Sequence, residues 1–112
     1  MSAAWHILRD GEAVTLCRHL PPRFDVSADT TIEAGHPVRL AHQIRQDMWR
    51  ALQKVRGFSP VVELRPSEVG WAVTAGGRMS GRPSARDIRR IQDTLANPAN
   101  RTRWLRHAGG AQ

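Results

Sequence analysis

VRLAHQIRQDMWRALQKVRG, residues Val38 to Gly57, reads as one amphipathic helix over 38–56. Pro37 suits the first helical turn, where its missing N–H has no partner to lose, and Gly57 suits the position just past the end. At about 100° per residue, Leu40, Ala41, Ile44, Met48, Ala51, Leu52 and Val55 fall on one side, with Val38 and Trp49 at its margin. So broad an apolar face has to lie on a sheet or on other helices. The opposite side gathers Arg39, His42, Gln43, Gln46, Arg50, Gln53 and Lys54, with Arg45 and Arg56 at the boundary. Five cations stand against the single acid Asp47, so the helix cannot neutralise itself, and a partner is expected to supply the missing anion.

Downstream, FSPVVELRPSEVGWAVTAGGRMSG reads as a hairpin that the helix can cover. Its strands are Phe58–Arg65 and Gly70–Ala75, joined through Pro-Ser-Glu-Val. Val62 and Leu64 alternate with Glu63 and Arg65, and Trp71 and Val73 alternate with Ala72 and Thr74, which gives each strand one apolar side. Gly76-Gly77 is expected to break the second strand, with Arg78–Ser80 adding a short third one, and Pro60 hints at an edge position. Ser84-x-x-Asp87 after Pro83 is a capping-box relative that opens a helix burying Ile88, Ile91 and Leu95. Asn97-Pro98 stops that helix and starts another carrying Trp104 and Leu105.

Upstream, AAWHILRDGEAVTLCRHLPP reads as a hairpin turning at Asp10-Gly11. Trp5, Ile7, Val14 and Leu16 share one face, and His6, Leu8, Thr15 and Cys17 the other. The polar stretch RFDVSADTTIEAGH is expected to be an irregular, acid-tinged connection. The fold class is therefore α+β in a small single domain: an N-terminal hairpin, a long amphipathic helix on a short antiparallel sheet, and two C-terminal helices. Its segments are 1–35 (hairpin and acidic linker), 36–107 (basic α+β core) and 108–112 (a fraying tail).

At 112 residues the chain is long enough to bury roughly two thirds of its unfolded surface. No stretch approaches the ~20 apolar residues that a bilayer span requires, and no signal-like segment opens the chain, so no membrane is expected and the reading is cytoplasmic. The lone Cys17 excludes an internal disulfide and suits a reducing compartment. The net charge of +7 is unevenly placed: 1–35 is net acidic, 57–81 is neutral, and 36–56 and 82–112 hold the excess. All the cations but Lys54 are arginines, whose planar fork matches phosphate oxygens in pairs.

Two basic helical faces are the candidate site. On the first, Arg39, Arg50 and Lys54 would hold a phosphate backbone while Gln43 and Gln46 reach base edges. On the second, Arg86, Arg90, Arg101 and Arg103 are left without a nearby acid in sequence, whereas Arg89 can pair with Asp93. His6, Cys17 and His19 could meet on one hairpin face, but three donors without a CxxC or HxxxH spacing do not make a closed zinc site. No paired carboxylates, nucleophile–base arrangement or phosphate-cradling glycine loop is present, so neither catalysis nor a cofactor is expected. Trp5, Trp49 and Trp71 have apolar neighbours and are expected in the core, whereas Trp104 stands between Arg103 and Leu105 with no clear side.

The expected function is non-enzymatic nucleic-acid binding, to DNA or RNA, through phosphate contacts on the two arginine-rich faces. The alternative is a protein-interaction or inhibitor module, small enough to be phage-encoded, that docks a basic face on an acidic or nucleoprotein partner. Oligomeric state is open, a homodimer included.

Overall fold

A computed structural model of the chain describes residues 4–109 and arranges them as β1 (His6–Asp10), β2 (Ala13–Cys17), β3 (Val26–Ile32), α1 (Pro37–Leu52), β4 (Ser59–Ser67), β5 (Gly70–Arg78), α2 (Ala85–Ala96) and α3 (Pro98–His107). The α+β class holds. All five strands form one antiparallel sheet in the order β1-β2-β4-β5-β3. The N-terminal hairpin joins the same sheet as the central one, through pairs such as Leu16 with Val62.

Strand alternation sorts the sheet into two faces. Leu16, Val62, Leu64, Val73 and Ala75 point to one side, where they pack with Leu40, Ile44, Met48 and Leu52 of α1 and Ile91 and Leu95 of α2. Ala75 apart, each such side chain contributes about 1.5–3 kcal/mol by leaving water. The other face carries Thr15, Glu63, Thr74 and Asp29 in cross-strand line. Its charges settle one another: Arg65 bridges Glu63 at 2.5 Å, and the Thr74 hydroxyl donates to Asp29 Oδ1 at 2.6 Å.

Four expectations are corrected. The N-terminal turn is Gly11-Glu12, with Asp10 paired to Ala13, one residue later than the Asp-Gly signal suggested; Gly11 has φ +61°, and Glu12 does not need positive φ. This fits a type II′ turn with glycine at its first central position. Moving the loop by one residue slides the register by two, so the expected faces survive.

The second correction is the acidic linker, which is an edge strand. In β3, Val26 and Ile32 are buried, Ala28 and Thr30 half-buried, and Ser27, Asp29 and Thr31 exposed. Polar composition hid this alternation, yet four of the seven residues are β-branched. Third, β5 runs unbroken through Gly76-Gly77 to Arg78. A Cβ at Gly76 would overlap the Val26 carbonyl and one at Gly77 the Ser59 carbonyl, so these glycines let β3 and β4 approach β5 instead of ending it. Fourth, α1 stops at Leu52, short of the expected 56; tight turns follow, with Val55 N–H donating to Leu52 O at 2.9 Å and Phe58 N–H to Val55 O at 3.2 Å.

The two C-terminal helices start where their caps require. Ser84 and Asp87 form a reciprocal capping box, and the Asn97 side chain accepts from Ala99 N–H and Asn100 N–H. The start of the expected tail is tied down at Ala108, which is buried and whose carbonyl accepts from His36 N–H at 3.0 Å. Residues 110–112 of that tail lie outside the described residues, as do 1–3 of the N-terminal segment. Among the described residues, no helix is long and apolar enough to cross a membrane.

Asp47, the only acid of α1, points into the protein. It accepts from the Trp104 indole N–H at 2.6 Å and forms an ion pair with Arg103, with Arg50 farther off at 3.7 Å. Trp104 is fully buried, so its N–H has no water to fall back on. Asp47→Leu is expected to destabilise the fold by about 2–3 kcal/mol, because it leaves a buried donor and a half-buried guanidinium unpaired. That is a melting-temperature fall of about 8–12 °C. Trp104→Phe, which removes the N–H together with several buried ring atoms and leaves a cavity in the core, should also lose about 2 kcal/mol or more. Thermal melts followed by circular dichroism check both losses.

Candidate nucleic-acid interface

The β1–β2 register pairs His6 with Cys17, which places Trp5 and Arg18 opposite each other one step beyond, on the helix-covered side. On α1, His42, Arg45 and Trp49 recur at i, i+3 and i+7 and occupy the flank nearest β1. The Arg45 guanidinium carbon lies 4.7 Å from the Trp5 ring centroid and that of Arg18 lies 5.5 Å away. His42 meets the same ring edge-on at 6.3 Å. Trp5 is thus a post on which two cations rest through attraction to its π face.

The electrostatics of this cluster are uncompensated. Among the described residues, no carboxylate lies within ion-pair distance of Arg18 or Arg45. Burial, with the repulsion of Arg18 second, holds Arg45 below the ordinary guanidinium range. Arg45 Nε–H donates to His42 Nδ1 at 3.4 Å, an arrangement that requires the neutral imidazole. Burial, then the charge of Arg45, pushes His42 below its usual range in the same sense.

Trp5, Arg18, Arg45 and Trp49 line a cleft of about 330 Å³ that also reaches His19, Phe58, Ser59 and Pro60. A second cleft, of about 390 Å³, shares His19, Phe58 and Ser59 with it and continues to Arg23, Arg78 and Ser80. The two form one groove around the join of α1 and β4, and no acidic side chain lines either half. Arg23 is paired with Asp25 at 2.9 Å, and Arg78 donates to the Pro21 carbonyl at 3.1 Å while its buried Nε–H has no partner. Ser80 N–H donates to Arg56 O at 3.0 Å, which draws the 79–84 connection, with Arg82, toward Lys54 and Arg56 at this end of the molecule. Guanidinium forks, imidazole and indole rings without a carboxylate are the chemistry of anion binding and stacking.

The residues singled out from sequence are dispersed by the fold. Arg39, Gln43, Gln46 and Arg50 do form a stripe on α1, with Arg39, Gln46 and Arg50 exposed, but on the flank toward α3, across the helix from Arg45. Lys54 is exposed and lies past the helix end. Arg86 and Arg90 are exposed on α2, which packs over β3 at the opposite edge of the sheet from β1. Arg101 is occupied within the fold: it donates to the Thr31 carbonyl, to the Leu95 carbonyl at 3.0 Å and to the Thr30 hydroxyl at 3.1 Å. Arg103 is held by Asp47 and Asn100. The two basic blocks therefore do not merge into one face, and the second loses two of its four members to tertiary contacts.

Sequence reasoning passed over Trp5, Arg18, His19, Arg45 and Trp49 as a group. Trp49, expected in the core, is 45% exposed, whereas the ambiguous Trp104 is fully buried. The available signal was the His42–Arg45–Trp49 spacing beside a hairpin whose corrected register sets Trp5 against Arg18. His6 and Cys17 share a hairpin face as expected and are direct cross-strand partners, but Cys17 is fully buried and burial raises its thiol above the usual range, while His19 is exposed beyond the strand.

Comparison with known proteins finds no matching family model, no matching curated protein and no matching solved structure.

His42 makes the cluster sensitive to acid. Its folded pKa lies below the unfolded value of 6.5, so in that range the unfolded chain binds more protons than the folded one. Stability is full above that value and is lost as pH falls toward the folded pKa. Urea unfolding between about pH 7.5 and 5 should show this loss, and His42→Gln should flatten the slope by the share that one titrating group supplies.

Proposed function

We propose that this protein is a non-enzymatic nucleic-acid-binding protein that takes the phosphate backbone into the groove at the end of α1. The observation that carries this reading is the half of the groove lined by Arg18, His19 and Arg45, with no acidic side chain in its walls; in the other half Arg78 adds a cation, while Arg23 is neutralised by Asp25. Two guanidiniums held near each other without a carboxylate are electrostatically unfavourable until an anion arrives. A polyanion offsets both their repulsion and the partial desolvation of Arg45.

The elongated shape also supports a chain of phosphates over a single one. Lys54, Arg56 and Arg82 extend the positive potential past the groove, and Arg39 and Arg50 extend it over the outer surface of α1. These exposed cations steer association more than they fix geometry. Arg86 and Arg90, at the far edge, contribute through long-range attraction only.

Fluorescence anisotropy with labelled single-stranded and duplex oligonucleotides at ~50 and ~200 mM salt tests the reading. Release of counterions from three or four phosphates should weaken single-strand binding by about 20- to 50-fold, and any duplex binding by about 40- to 150-fold, between the two salt concentrations. Arg18→Gln with Arg45→Gln should lower affinity at least tenfold at the lower salt, and Arg86→Ala with Arg90→Ala much less. No binding to either nucleic acid at the lower salt, with tight binding to poly-glutamate, would replace this reading by an acidic protein partner.

A further inference from the structure

We infer that the aromatic end of the groove captures an unpaired nucleobase, so that single-stranded nucleic acid, and not duplex, is the ligand class; this rests on the nucleic-acid reading above. The two tryptophans of the first cleft are in different states. The Trp5 ring is occupied, with Arg45 and Arg18 over it and His42 at its edge. The Trp49 ring is 45% exposed and, among the described residues, has no aromatic or cationic partner, although it lines the same cleft. Trp5 therefore positions the cations, and Trp49 is the open stacking platform beside them.

A base offers what that platform lacks. Every nucleobase presents a π face, and stacking on an aromatic side chain is tolerant of sequence. In a duplex the bases are stacked on each other and only their edges reach the grooves, so an indole in a cleft cannot engage a base face without flipping the base out. In a single strand the base is already available, and its phosphate lies within a few ångströms of its sugar, as Trp49 lies beside Arg45 and Arg18. The cleft of about 330 Å³ is of the size for one nucleotide, and the adjoining cleft of about 390 Å³, with Arg78, receives the continuing backbone. A free nucleotide would leave that second half without an anion, which favours a strand.

The test uses the full chain and four probes: a 12-mer single strand, the duplex of the same sequence, a nucleoside monophosphate, and inorganic polyphosphate, which has the charge but no base. At ~100 mM salt the single strand should bind at least tenfold more tightly than the duplex or the monophosphate. Trp49→Ala should weaken single-strand binding by about 5- to 150-fold, the range of one lost stacking contact, with polyphosphate affinity unchanged. Trp49→Phe should restore most of the loss, which a merely structural effect of the alanine would not predict. With Trp49 nearly half exposed, the variants should keep the fold and lose only a little stability; if Trp49→Ala melts far below the parent, quenching of the parent's tryptophan emission by the single strand, but not by polyphosphate, decides the same point. Equal affinity for duplex and single strand, equal affinity for the monophosphate, or an unchanged Trp49→Ala would overturn the inference while leaving nucleic-acid binding intact. Loss of all four interactions would overturn both.

Discussion

The buried carboxylate of Asp47 determines how charge is distributed over this molecule. It is the only acid on α1, and it is directed inward, to the Trp104 indole and the Arg103 guanidinium. One consequence is architectural: α3, short and polar as it is, docks on α1 through a fully buried tryptophan whose polar atom is satisfied. The other is electrostatic. With Asp47 turned inward, Arg45 on the opposite flank is left with no carboxylate in reach and, instead of a salt bridge, finds an aromatic ring and an imidazole.

The groove exists because the sheet is wider than its helical cover. Two helices lie on one face of the five-stranded sheet, α1 over its middle and α2 over β3, and α3 packs against both. At the other edge, β1 extends past α1 and exposes Ile7, while Trp5 reaches back to close the gap. The β2–β3 connection then crosses the end of the sheet, tied by Arg78 to Pro21 and by Met79 N–H to Asp25 Oδ2 at 3.0 Å. Its basic residues Arg18, His19 and Arg23 are thereby laid along the join of α1 and β4. The opposite face of the sheet, with Glu63, Arg65 and Asp29 mutually satisfied, offers no comparable excess of either sign.

Local signals carried most of the fold. Pro37, Ser84 with Asp87, and Asn97 with Pro98 mark helix starts through backbone chemistry that needs no tertiary context, and all three helices begin there. What was not legible depended on neighbours. β3 has Ser, Ala, Asp and two Thr between Val26 and Ile32, and it is a strand because β5 offers it seven consecutive partners. Gly76-Gly77 resembles a breaker until two strands are placed on either side of it. The candidate site was the least visible, since whether an arginine is free depends on long-range partners. Arg101 and Arg103 look as unpaired in sequence as Arg39 does, yet Thr31 and Asp47, more than fifty residues away, occupy them. Trp49 lies exposed and Trp104 buried for the same reason.

The four indole N–H groups offer a direct view of the central claim, that the arginine-lined groove at the end of α1 is where an anionic strand binds. Two of them are locked inside the fold, Trp71 on the Gly35 carbonyl at 3.0 Å and Trp104 on Asp47, and so serve as internal references. In a ¹H–¹⁵N spectrum titrated with a single-stranded oligonucleotide, the account predicts large shifts of the Trp5 and Trp49 indole signals and of the Arg18 and Arg45 Nε–H signals, with Trp71 and Trp104 still. Shifts confined to Arg86 and Arg90 on α2, with the Trp5 and Trp49 signals unmoved, would contradict it.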